Sequence, residues 1–157
     1  MSKFMRGLAV SLVAGTVALA PLTASAMGSS SDDDKPKKAS GSYDRGVAAV
    51  KAQNWDQAIS QLKSAVKEDP SNADAYNYLG YSLRKSGDPS SAINSYKQAL
   101  RLNADHKGAH EYIGQAYLEM GDMANAKVHL SRLDEICFFG CAEYTSLKNA
   151  INAKTGS

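Results

Sequence analysis

Two cysteines and three histidines are the side chains whose types and spacing invite chemistry. Cys137 and Cys141 bracket the tripeptide Phe138-Phe139-Gly140. Three readings stay open for such a pair: a local disulfide, a redox or metal-handling site of the copper type, or two free buried thiols. A straight helix disfavours the disulfide, but Gly140 can break the helix and let the two Cβ atoms approach. The bond would need an oxidising compartment. Its loop is short, so it removes less chain entropy than the loops of most stabilising disulfides. A thioredoxin-like copper site would need strands, and no run of alternating β-branched residues is present. No Cys-x-x-Cys-His occurs, so covalent haem attachment is excluded. His106 and His110 stand one helical turn apart with Glu111 adjoining. Zinc asks for three or four ligands. We therefore assign His106 to a helix start and His110 to packing, and expect no metal. His129 stands alone. No nucleophile elbow, phosphate-cradling glycine loop or His-Glu-x-x-His is found. The sequence thus predicts neither an enzyme nor a bound cofactor.

The charge balance narrows the partners. The chain has 157 residues, 18 Lys plus Arg and 16 Asp plus Glu, for a formal charge of +2. Lys3 and Arg6 lie in a front segment without an acidic residue. Gly7 to Ala20 is uncharged and mostly apolar, Pro21 breaks it, and Ala24-Ser25-Ala26 offers small residues for cleavage. This is the order of a secretory signal, and its apolar run is shorter than the roughly 20 residues of a membrane span. Residues 1–26 are expected to be removed, leaving 16 basic and 16 acidic residues and a charge of zero. A neutral chain does not suit a nucleic-acid binder, which must neutralise several phosphates. Residues 27–41 hold Ser, Asp, Lys and Gly, including Asp32-Asp33-Asp34 beside Lys35, Lys37 and Lys38, and read as a flexible linker. No cysteine follows the apolar run as a lipid anchor. Export into the periplasm without lasting membrane insertion is expected.

The remainder repeats. Gly46, Gly80 and Gly114 stand 34 residues apart, as do Ala58, Ala92 and Ala126. Leu62, Tyr96 and Leu130 follow the same step, and so do Asn54, Asp88 and Asp122. Three copies emerge, 39–72, 73–106 and 107–140. Each reads as two helices and a tight turn. Tyr76, Leu79, Gly80 and Leu83 recur at steps of three and four, one helical face. Gly87 suits a left-handed position, Asp88 caps the next helix and Pro89 fits its first turn. Trp55 opens the second helix of copy one, and Pro70 stops it. A mid-helix Gly costs about 1 kcal/mol against Ala, which is reasonable where another helix passes close by. The matching alanines give the second helices their small surfaces. Tyr144, Leu147, Ala150 and Ile151 predict a capping helix at 142–153, since stacked repeats leave a bare apolar end. Residues 154–157 form a tail.

These spacings resemble the tetratricopeptide repeat (TPR), over residues 39–140. The tail CFFGCAEYTSLKNAI resembles that of exported bacterial TPR proteins and implies a Gram-negative periplasm. The resemblance implies an all-α fold, a right-handed superhelix of three repeats and the cap within residues 42–153. The middle copy matches best. Ser42 and Arg45 stand where Tyr76 and Leu79 stand later, so the first helix is expected to fray. His110 occupies the aromatic position of copy three, and Phe138 replaces Pro70.

In this family the first helices line a concave wall. That implies outward side chains at Tyr43, Val47 and Val50, at Asn77, Tyr81 and Arg84, and at Glu111, Gln115 and Leu118. Asn77 suits a peptide backbone, Tyr81 offers a flat apolar wall, and Arg84 suits a carboxylate. Glu111 and Glu119 make copy three acidic. Only Asn77 and Arg84 resemble the family's chaperone-tail clamp. The expected function is a non-catalytic periplasmic scaffold that binds a peptide or protein partner. The alternatives are redox or metal handling at Cys137 and Cys141, and self-assembly.

Overall fold

The structure is a computed structural model that describes residues 41–156. The expected signal segment, nearly all of the expected linker and Ser157 lie outside the described residues. Seven helices follow in order: α1 (Ser42–Lys51), α2 (Trp55–Glu68), α3 (Ala73–Lys85), α4 (Pro89–Leu102), α5 (Lys107–Glu119), α6 (Met123–Ile136) and α7 (Ala142–Thr155). No strand occurs among the described residues. The fold is all-helical.

The caps explain where most helices begin. The side chains of Asn54, Asn72, Asp88, His106, Asp122 and Cys141 each accept the backbone N–H three residues on. Each satisfies one of the donors that a helix start leaves open. Gly87 (φ 94°) and Gly121 (φ 79°) turn the chain between paired helices. In copy one the same turn falls on Gln53 at φ 56°, a strained position for a residue with a Cβ. The first helix forms over ten residues, but it has no side-chain cap at Gly41. Here Ser42 is buried and donates to Glu68 Oε1 at 2.6 Å, so a polar tie replaces the missing aromatic.

The core runs between copies as well as within them. Ala58 and Leu62 of α2 pack with Leu79 of α3, and Ala92, Ile93 and Tyr96 of α4 pack with Ile113 and Ala116 of α5. The glycines are contact points. A Cβ on Gly46 would lie 2.6 Å from Leu62 Cγ, and one on Gly80 would lie 2.6 Å from Tyr96 Cε1. The third glycine breaks the pattern. A Cβ on Gly114 would meet Leu147 Cδ2 of α7 at 2.5 Å, where the repeat places Leu130. The last helix therefore lies on α5 and uses the notch that earlier copies give to their own second helix. It also runs two residues past the expected end, to Thr155.

Candidate functional site

The middle first helix, α3, carries the wall. Asn77, Tyr81 and Arg84 share one face of it at steps of four and three. The structure corrects the expectation that all three point outward. Asn77 is only 6% exposed, and the Arg84 side chain is 6% exposed. The Arg84 Nη1 donates to Glu119 Oε1 of α5 at 2.6 Å, tying copy two to copy three. Its guanidinium also lies over the rings of Tyr81 and Tyr112, at 5.7 and 5.9 Å from their centroids. Burial alone would lower the Arg84 pKa, but Tyr96 and Glu119 outweigh it and the group stays firmly charged. Tyr96 itself is held neutral, because burial raises its pKa far above the ordinary value.

Asn77 Oδ1 is buried here without a hydrogen-bond partner, and Arg84 Nε and Tyr96 OH, which make no well-formed bond, belong to two groups that interact with each other. Such a group costs about 1–3 kcal/mol when left unmade. Asn77 therefore brings unused polar capacity to the wall.

Tyr81 sits between other rings. Its centroid is 5.0 Å from Tyr112 and 6.0 Å from Trp55, with Lys85 Nζ at 5.6 Å. Tyr112, Lys85 and Trp55 were not foreseen as part of this cluster. Tyr78 and Tyr112 stand one repeat apart, which is the signal that marks them. Tyr43 meets Tyr78 edge to face at 6.1 Å, and burial raises its pKa. Val47 is half-buried.

Two wall assignments move into the core. Leu118 is 6% exposed and packs with Ala126, Leu133 and Leu147. Val50 is half-buried against Leu62 and Leu79. Both are apolar and near a helix end, where the neighbouring helix closes over them. Glu111 and Gln115 remain half-buried and are engaged: Ser146 of α7 donates to Glu111 Oε1 at 2.6 Å, and Gln115 Nε2 donates to the same oxygen at 3.0 Å. Burial raises the Glu111 pKa against these two donors. Between α5 and α7 lies a cleft of about 260 Å³ lined by Gln115, Leu118, Glu119, Ser146, Ala150 and Lys154.

The cysteines form a disulfide, with Cα atoms 5.6 Å apart. Cys137 is buried, and Cys141 Sγ accepts the Tyr144 N–H at 3.4 Å. Gly140 has φ 83°, so the expected break is at this residue. His106 caps α5 through Nδ1, and its Nε2 faces Asp74 at 3.0 Å. His110 and His129 bring their Nδ1 atoms to 2.9 Å, a contact that repeat logic did not reveal. Among the described residues no three His, Cys, Asp or Glu gather as a metal-binding group.

Comparison with known proteins fixes the family. The tetratricopeptide repeat profile matches residues 43–87 and 79–127, together more than half of the chain. The chain belongs to the tetratricopeptide repeat family. Search of curated proteins returned no match for this TPR chain. Among solved structures, one of MamA (MSR-1) is 30% identical with a TM-score of 0.56, over 58% of this chain and 52% of that one. The TPR chain thus spans about half the length of that protein. The first TPR domain of Spaghetti (RPAP3), bound to an HSP90 peptide, is 20% identical with a TM-score of 0.66, over 74% of this chain and 91% of that one. PcrH, in complex with the chaperone-binding region of PopD, is 19% identical with a TM-score of 0.64, over 73% and 89%. The last two establish a shared fold.

Proposed function

We propose that this TPR protein is a non-catalytic interaction module that holds an extended peptide segment of a partner against the wall of α3 and α5. One observation carries the reading. Asn77 Oδ1 is buried on that wall without a partner. A peptide N–H admitted by a small shift of the Asn77 side chain supplies the missing hydrogen bond, and the Tyr81 and Tyr112 rings supply apolar area beside it. Spaghetti and PcrH, which share the fold, are described with bound partner segments, and this supports a peptide as occupant.

The module works in the periplasm. The order of Lys3, Arg6, the apolar run and Ala24-Ser25-Ala26 supports export. A disulfide between Cys137 and Cys141 suits an oxidising compartment.

Selection of peptides from a displayed library, followed by calorimetry, tests the wall. Asn77→Ala is expected to weaken a selected peptide about tenfold, a change of about 1.4 kcal/mol. Equal affinity for the parent, Asn77→Ala and Tyr81→Ala overturns the assignment. Cell fractionation tests export: a shortened chain in the periplasmic fraction supports it, and a full-length chain in the cytoplasm defeats it.

A further inference from the structure

The disulfide presents something the fold does not need. Phe138 and Phe139 are 86% and 96% exposed, and their rings meet edge to face at 5.1 Å. The other large apolar residues of note on the surface are far less exposed, with Val128 highest at 62%. Exposing two adjacent Phe rings forgoes a few kcal/mol of burial. The loop holding them is closed by Cys137 and Cys141 and turned at Gly140, so little ordering entropy remains to be lost on docking.

The surroundings of this knob are acidic. Asp134 and Glu135 occupy the last turn of α6, a turn without a basic residue. Helix C-termini favour cations, so these carboxylates sit against the dipole. Glu143 lies in the first turn of α7. Arg132, just before that turn, is already bonded to Asp105 and Glu135, at 2.6 Å each. A matching surface is therefore apolar with a basic edge. The acidic flank disfavours an anionic bilayer.

The wall of α3 has that character. Its Tyr81 ring stands between Trp55 and Tyr112, with the exposed Lys85 Nζ 5.6 Å from its centroid; Arg84, also over the ring, is already bonded to Glu119, so Lys85 supplies the basic edge. It also holds the unpartnered Asn77 Oδ1. The knob of the same molecule is solvent-exposed, so it does not fill its own wall.

We infer that the Phe138–Phe139 knob of one copy docks on the Tyr81 wall of a second copy, its carboxylates facing Lys85 and its rings facing Tyr81 and Tyr112. This rests on the peptide-wall reading above and names the occupant. The contact is head to tail, so each docked pair keeps one free knob and one free wall, and the product is an open chain or a ring.

Sedimentation velocity on the purified protein over a wide concentration range tests it. The parent is expected to grow past dimer with concentration. Phe138→Ser/Phe139→Ser and Tyr81→Ala/Lys85→Glu are each expected to stay monomeric. Mixed together they must form a one-to-one dimer and nothing larger, because only one intact knob and one intact wall are complementary. Circular dichroism controls for folding, and Lys85→Glu alone, at an exposed position, stands in should Tyr81→Ala weaken the fold. A parent of constant monomer mass overturns the inference. So does association that persists in either variant, and so does a monomer whose Phe knob binds phosphatidylcholine vesicles. A monomeric parent that still binds displayed peptides through Asn77 sinks only this inference and leaves the peptide wall standing.

Discussion

Arg84 Nη1 reaches Glu119 Oε1 at 2.6 Å, from α3 of one repeat to α5 of the next, with 6% and 42% of the two side chains exposed. The family resemblance implies an outward-facing Arg84. The structure makes it part of the frame. Arg84→Ala removes a charged hydrogen bond and two ring contacts, and is expected to cost about 1.5–3 kcal/mol. Glu119→Gln keeps a hydrogen-bond acceptor at a well-solvated site and is expected to cost about 0.5 kcal/mol. Urea unfolding of both variants checks the ratio. Equal small effects return Arg84 to the surface.

A second prediction concerns the glycine notches. Gly80→Leu forces Tyr96 to move, because its Cβ position already lies 2.6 Å from Cε1. The loss is expected at about 3 kcal/mol, the upper end of overpacking costs. Gly114→Ala acts elsewhere: its methyl meets Leu147, so it should loosen α7 and leave α6 in place. Hydrogen exchange along α7 reads this directly. The pairing of Gly114 with Leu147 was hidden in the sequence for a clear reason. Periodicity relates positions inside copies, and α7 lies outside the third copy. The fold, the three turns and most of the caps were legible because each depends on local residue types at fixed steps. The inter-repeat ties were not read, although they leave a trace. Arg84 to Glu119 and Glu111 to Ser146 are both 35 apart, one repeat plus one. Leu118 was misplaced because its repeat position, held by Arg84 in copy two, faces the neighbouring helices rather than the open wall; in copy three it packs with Leu147 of α7.

The two facing histidines give a pH prediction. His110 Nε2 lies 2.9 Å from the Ala104 carbonyl and so carries a proton. Its Nδ1 then accepts from His129 Nδ1–H at 2.9 Å. The space between the two Nδ1 atoms has no room for a second proton. Burial first, then His110 and Lys97, lower the His129 pKa to about 4. Burial also lowers that of His110, against its bond to Ala104, with Arg132, Asp105 and His106 nearby. Both folded values lie below the unfolded value of about 6.5. The unfolded chain therefore binds more protons as pH falls. Stability is full above pH 6.5 and is lost as pH falls toward 4, by at most about 1.4 kcal/mol per unit for each group. Partial solvent access reduces this. His129→Gln, whose amide donates to the same Nδ1, is expected to flatten the slope between pH 6.5 and 4. A slope unchanged by that substitution assigns the acid sensitivity to other groups.

Reduction of the disulfide separates stability from presentation of the knob. A loop closed across five residues removes little entropy from the unfolded chain, about 2 kcal/mol by the chain-entropy relation. Reduction should therefore lower the melting temperature by roughly 8 °C and leave α1 to α5 folded. Its local effect is larger. Cys141 caps α7 through Sγ, and Cys137 is buried under the same helix. Release of that tie lets α7 start later and frees the Phe138–Phe139 loop. The test compares oxidised and reduced protein by hydrogen exchange and by sedimentation at one concentration. Faster exchange in the first turn of α7, together with weaker association, is the expected pair of results. Faster exchange with association unchanged means that the disulfide staples the cap only, and that docking needs no preformed knob.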